Sequence, residues 1–160
     1  GIIGLGGLGG IGARLAVVAG ADVYAADPKE SARDHAQELG VVDVAASILE
    51  FASQDLDVII DFAGFDTTGD AFRAVRSGGR VVQVGIGRRE ARIDLLDVLW
   101  KQLEYRGSVV GTTEDLQSYL RLLEAGEVAP AIERIGFDKI GDGLERLGRG
   151  GVTGRLVAVL

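Results

Sequence analysis

Glycines at positions 4, 6 and 9 fall in the order G-x-G-x-x-G across Gly4, Leu5, Gly6, Gly7, Leu8 and Gly9, and a carboxylate, Asp27, stands downstream. These residue types make and break no bonds. Their chemistry is recognition of a dinucleotide. Gly4 allows a tight turn out of a strand. Gly6 lacks a Cβ, so backbone can come close to a pyrophosphate. Gly9 lets the next helix pack near the strand, aiming its free N–H groups at the phosphates. Asp27 can accept hydrogen bonds from the adenosine ribose and repels a 2′-phosphate, which favours NAD over NADP. Lys29 and Arg33 stand nearby as basic groups that leave NADP recognition open. Asp27, Pro28 and Glu30 also read as a helix start, with Asp27 as N-cap and Pro28 in the first turn.

The elements that hold these residues follow from hydrophobic spacing. Ile2 and Ile3 make the first strand. Leu8, Ile11, Leu15 and Val18 recur at helical spacing, with Gly20 as the stop. Strands are expected at 22–26, 41–45, 56–60, 80–84 and 105–110. Helices are expected from Asp27 to Leu39, around Ala71, Phe72 and Val75, and over 94–103. Six strands alternating with helices predict an α/β fold, a doubly wound parallel sheet of the Rossmann type in the order 3-2-1-4-5-6. A ligand then belongs at the carboxyl ends of strands 1 and 4. A C-terminal return segment carries a helix over 114–125, strands at 131–135 and 155–160, and a helix near 139–147. The expected division is a dinucleotide-binding domain at 1–126 and a segment at 127–160 that packs on a domain outside this sequence.

Composition removes several function classes. The formal charge is −7, which argues against a nucleic-acid partner. No apolar run is long enough to span a bilayer, so no membrane partner is expected. With 0 Cys and 1 His there is no disulfide framework and little to hold a metal. A cytoplasmic location follows as the expectation. The sequence contains 0 Met, and only Gly1-Ile2-Ile3 precede the glycine turn, so sequence upstream of Gly1 is expected.

Other candidates read as structural. Asp57 starts a strand and Asp66 caps a helix, while Asp61 lies nearer the expected ligand. His35 faces away from Ala32, Ala36 and Leu39 as a solvated helix residue. Arg88 and Arg89 cover a polar loop. Trp100, at helical spacing with Leu96 and Leu103, reads as core or interface. No catalytic residue is found: Tyr24, Tyr105 and Tyr119 are followed four positions later by Pro28, Val109 and Leu123 rather than lysine. The neutral strand at 105–110, with only Arg106 as an edge charge, predicts a homodimer paired edge to edge.

Taken together, the chain resembles the coenzyme domain of the medium-chain, zinc-dependent alcohol dehydrogenases. The resemblance rests on the glycine turn, on Asp27, on Asp57 to Gly64, on Gly79 to Ile86, on Arg106-Gly107-Ser108 and on Gly154 to Val157. It implies that the turn holds the pyrophosphate of NAD and that Asp27, flanked by Pro28 and Lys29, holds the adenosine ribose. Phe62, Ala63 and Gly64 would line the adenine and ribose wall. The Val84-Gly85-Ile86 backbone would meet the nicotinamide carboxamide, and Arg155 would reach the pyrophosphate. One departure is Ala32, where relatives often carry a basic residue. The family's zinc ligands and proton relay lie mainly in an upstream domain, so zinc is expected only there. The parent would act on an alcohol, aldehyde or ketone. Two other readings remain open: a non-catalytic NAD-sensing module, and the coenzyme domain of a zinc-free quinone or enoyl reductase.

Overall fold

The computed structural model describes residues Gly1–Leu160. A six-stranded parallel sheet in the order β3-β2-β1-β4-β5-β6 organises the first two-thirds of the chain. Its elements are β1 (Ile2–Ile3), α1 (Gly9–Val18), β2 (Tyr24–Ala26), α2 (Glu30–Glu38), β3 (Asp43–Ala45), β4 (Leu56–Asp61), α3 (Thr67–Ala74), β5 (Val75–Gln83), α4 (Leu95–Lys101) and β6 (Glu104–Gly107). A 3-10 turn at Ile48–Phe51 links β3 to β4 and opens on a capping box between Ser47 and Glu50. After α5 (Thr113–Glu124), β7 (Ile132–Gly136) and β8 (Arg155–Val159) pair in parallel as a separate two-stranded sheet, with α6 (Ile140–Gly148) between them.

Alternation along the strands divides the apolar residues between the two sheet faces. Ile3, Ala26, Ile59, Phe72 and Val81 are buried in one cluster, with Phe51 and Leu56. Ile2, Ala25, Ala13, Ala32 and Ala36 are buried in the other, under α1 and α2. Small residues dominate the second cluster, so these helices ride close to the strands. Each fully buried large side chain, Phe72 or Ile59 for instance, contributes about 1.5–3 kcal/mol. No helix is long and apolar enough to cross a membrane.

Several expectations need correction. The strands are shorter than their apolar runs: β2 starts at Tyr24, β3 at Asp43, and β6 ends at Gly107. Strand six stops there because its only neighbour, β5, stops at the paired Gln83. Val109 and Val110 lie beyond it, and Val110 takes φ +51. Val75 belongs to β5, not to α3: its backbone is extended and pairs with Leu56. Trp100 is not core, being 77% exposed, and α4 contributes no buried residue. Asp66 occupies the N-cap position of α3, but its carboxylate bonds Arg88 instead of the helix.

Segment 127–160 lies against the sheet domain at several points. Val128 is 1% exposed. The Arg14 guanidinium donates to the Glu127 carbonyl at 2.7 Å, and Lys29 Nζ donates to the Gly150 carbonyl at 2.6 Å. Within the segment, Arg146 grips Glu133 through both oxygens, and those hydrogen bonds hold the Glu133 carboxyl below its usual range.

Candidate cofactor site

The carboxyl end of β1 opens into the glycine turn. Gly4 sits at φ +84, a conformation that side chains disfavour, and its N–H donates to Ala26 O at 2.8 Å. The chain then climbs into α1, with Gly10 N–H bonded to Gly6 O at 3.0 Å. No acidic side chain stands in the first turn of α1. The N–H groups of Gly6, Gly7 and Leu8 make no hydrogen bond within the protein. A Cβ on Gly6 would meet nothing within 4 Å, whereas one on Gly9 would overlap the Gly4 carbonyl oxygen. One glycine thus leaves an open cradle, and the other brings strand and helix together.

Asp27 follows β2 and faces this turn. Its Oδ2 accepts from the Leu5 N–H at 2.8 Å, and its Oδ1 accepts from the Lys29 N–H at 2.9 Å. It does not cap α2 directly; the N-cap position is Lys29, without a side-chain bond. The reason is that α2 begins only at Glu30, which leaves Asp27 two residues before the N-cap, where its Oδ1 meets the Lys29 N–H and its Oδ2 is drawn to Leu5. Each carboxylate oxygen accepts more than one hydrogen bond, so capacity for a ligand hydroxyl remains. A cleft of about 240 Å³ lies beside it, lined by Gly6, Asp27, Lys29, Ala32, Val152 and Thr153 among others. The two nearby cations are both held by carbonyls: Lys29 by Gly150, and Arg33 by Asp27 and Pro28.

Arg155 enters from the return segment. A Cβ on Gly7 would lie 2.7 Å from Arg155 Nε and 2.6 Å from Gly154 O, so the arginine side chain lies directly over the glycine turn. Arg155 N–H bonds Ala131 O at 2.8 Å, while its guanidinium has no ion-pair partner. An unpaired cation beside free N–H groups and a helix N-terminus is a site for a doubly charged phosphate bridge. His35 is half-buried and lies 3.4 Å from Glu38, contrary to the solvated position expected. It lines a small pocket beside the turn with Arg14 and Pro130, because the return segment covers that side of α2.

Across the switch point, the ends of β4 and β5 are locked together. Asp61 is fully buried and accepts from Ala63 N–H, Gly64 N–H, Thr67 Oγ1 and Thr68 Oγ1 at 2.8–3.0 Å. Those bonds fill its capacity, so Asp61 shapes the turn and has none left for a ligand. Phe62 sets its ring against Gly12 of α1; a Cβ there would lie 2.6 Å from the ring edge. Ala63 and Gly64 accept from the N–H groups of Gly87 and Arg88. Val84 and Gly85 both donate to the Asp61 carbonyl, and Ile86 is exposed. Tyr105 has its phenol pushed up by burial and then by the Asp61 charge, so it remains a donor beyond its ordinary range. Sequence reasoning passed over Gln83, which bonds this loop; a lone polar residue within Val81-Val82-Gln83-Val84 is the signal that marks it.

The sheet order 3-2-1-4-5-6, with a glycine turn at the end of β1 and an acid at the end of β2, can be set beside known proteins. Residues 7–125 match the family model for zinc-binding dehydrogenases. The chain belongs to that family. An alcohol dehydrogenase of Geobacillus stearothermophilus is 30% identical over 171 residues, covering 99% of this chain and 49% of its own length. Acetophenone reductase from Geotrichum candidum NBRC 4597, solved in complex with NAD, superposes with a TM-score of 0.92 at 34% identity. That match covers 98% of this chain and 47% of the reductase. The alcohol dehydrogenase of the archaeon Aeropyrum pernix gives a TM-score of 0.90 at 30% identity, over 99% and 49% respectively. The chain therefore spans about half the length of these dehydrogenases and reductases. The shared half carries the sheet and the glycine turn. Its own side chains form no group of three or more His, Cys, Asp or Glu able to hold a metal.

Proposed function

We propose that this chain is the NAD(H)-binding half of an oxidoreductase that moves hydride between the cofactor and an alcohol, aldehyde or ketone. The observation that carries this is the Gly6 cradle, with unbonded N–H groups on one side and the unpaired Arg155 guanidinium over the other. The residues fit the cofactor. Gly6, Gly7, Leu8 and Arg155 would hold the pyrophosphate, with Gly4, Leu5 and Gly9 setting the turn. Asp27 would accept from the adenosine ribose, with Pro28 and Lys29 shaping the cleft beside it. With one ribose on the β2 side, the cofactor's other half lies over the ends of β4 and β5. There the Val84-Gly85-Ile86 backbone would meet the nicotinamide carboxamide, while Phe62, Ala63 and Gly64 would line the adenine and ribose wall, with the Phe62 ring against Gly12 of α1. Bound NAD supplies the hydride acceptor. Zinc, in this reading, is held by ligands outside Gly1–Leu160.

The division into 1–126 and 127–160 belongs to the same reading. The second part meets the sheet domain through Val128, Gly150 and Arg155, and it exposes Ile132, Phe137, Leu144 and Leu147. Those apolar residues would face the rest of the parent protein. A cytoplasmic home is also part of the reading, in keeping with a chain of 0 Cys. The test is direct: titrate the chain with NADH, then assay ethanol oxidation with NAD and added zinc. NADH is expected to bind without turnover. No saturable binding overturns the cofactor reading, and zinc-dependent turnover by this chain alone overturns the division of labour.

Two expected results follow from particular residues. Asp27→Ser removes the charge that repels a 2′-phosphate, so the NADH-to-NADPH affinity ratio is expected to fall ~10-fold toward parity. Because Lys29 and Arg33 are tied to carbonyls, that change comes mostly from weaker NADH binding. Paired titrations check it, and an unchanged ratio removes Asp27 from cofactor selection.

The second concerns a homodimer through strand six. It is supported by an edge with no buried residue in β6 and by the exposed Trp100 and Leu96 on α4. Ser108 N–H donates inward to Gln83 O, so alternation turns the Gly107 N–H to the open edge. Gly107→Pro removes that donor where a side chain meets nothing within 4 Å. Sedimentation is expected to show a wild-type dimer and a monomeric variant. A monomeric wild type rules the interface out.

A further inference from the structure

Gln83 is the last residue of β5, and its side chain turns back into the protein. Nε2 donates to the Gly85 carbonyl at 2.7 Å. Oε1 lies 3.1 Å from the Thr68 hydroxyl and 3.3 Å from the Tyr105 hydroxyl. Thr68 has a single proton and stands between Asp61 Oδ2 at 3.0 Å and Gln83 Oε1 at 3.1 Å. With that proton given to the Asp61 carboxylate, the donor that serves the amide oxygen is the Tyr105 hydroxyl, while the amide nitrogen keeps the Gly85 carbonyl as its acceptor. Gly64, at φ +63, makes this possible: a Cβ there would overlap the Gly85 oxygen and lie 2.9 Å from Gln83 Nε2. Strand six thus reaches the loop after β5 through one amide. The Phe72 ring, 5.3 Å from that of Tyr105, holds the phenol in place.

We propose that Gln83 is a positioning residue for the nicotinamide end of the cofactor, fixing the Val84–Gly87 loop through the Gly85 carbonyl, with Tyr105 holding Gln83 in turn. The inference rests on the cofactor reading above. It follows because Gln83 supplies the one hydrogen bond on the Gly85–Ile86 peptide, whose Ile86 N–H has no partner, so nothing else fixes that peptide's orientation once the donor is gone. The glycine turn and Asp27, which would hold the pyrophosphate and the adenosine ribose, share none of the Gln83 bonds. Binding energy lost with Gln83 is therefore lost from one half of the dinucleotide.

The test compares NADH with ADP-ribose, which lacks the nicotinamide. Gln83→Leu is expected to weaken NADH ~10-fold while ADP-ribose stays within ~2-fold, because only the first ligand meets the loop. Tyr105→Phe, at a partly exposed position, is expected to move NADH in the same direction by ~3-fold with ADP-ribose unchanged. Equal losses for both ligands, or no loss of NADH in either variant, overturns the positioning role. If the wild-type chain binds ADP-ribose but not NADH, the loop does not read nicotinamide and the inference fails while the phosphate cradle stands. Binding of neither ligand by the wild type removes the cofactor reading itself.

Discussion

Gly6→Val is expected to abolish NADH binding and to leave the fold intact. No protein atom lies within 4 Å of a Cβ at this position, and its backbone does not need a positive φ. The valine side chain therefore meets only the space in which the pyrophosphate would sit. Loss of close approach to the N–H groups and to Arg155 removes charge-assisted hydrogen bonds from the ligand's most charged part, so the affinity is expected to fall ~100-fold or more. The melting temperature is expected to stay within ~2 °C, since overpacking needs neighbours to press against. Titration calorimetry and a thermal scan on the same sample check both halves. Retained affinity would place the phosphates elsewhere.

Gly9→Ala behaves in the opposite way. Its new methyl group would overlap the Gly4 carbonyl, with Phe62 Cβ 3.4 Å away. The helix must shift off β1, breaking the packing of Leu5 and Ala13 in the core beneath it. A cost of about 3 kcal/mol is expected, at the upper end for overpacking. That corresponds to a fall of ~6–12 °C in melting temperature for a domain of this size. Cofactor affinity falls as a consequence. A variant that melts like the wild type would show that the turn has slack which the observed contacts deny.

These two glycines show how much was legible in advance. The motif placed the turn, and hydrophobic spacing placed the strands and helices, because a central parallel strand is apolar on both faces and helices are apolar on one; the strand order followed as the expectation for that class of fold. Boundaries were less legible. Val109 and Val110 read as strand from residue type, yet strand length is set by the partner, and β5 offers nothing to pair with past Gln83. Trp100 read as core or interface because its spacing matches Leu96, but spacing cannot say whether a helix face meets this chain or another. Asp27 read as a helix cap because Asp-Pro-x-Glu has that pattern. The competing bond to Leu5 comes from a residue distant in sequence. The Gln83 clasp was missed for the same reason: Thr68, Gly85 and Tyr105 converge only once β4, β5 and β6 lie side by side.

The turn after β1, with Arg155, is where the pyrophosphate of NAD(H) is proposed to sit. Nuclear magnetic resonance of the nitrogen-15-labelled chain during NADH addition tests it residue by residue. The amide signals of Gly6, Gly7 and Leu8 and the Arg155 Nε signal are expected to move saturably and together, while the amides of the exposed Leu144 and Leu147 on α6 stay still. Saturating NADH that leaves the glycine turn unmoved, or that shifts the Arg88–Arg92 loop in its place, would contradict the account.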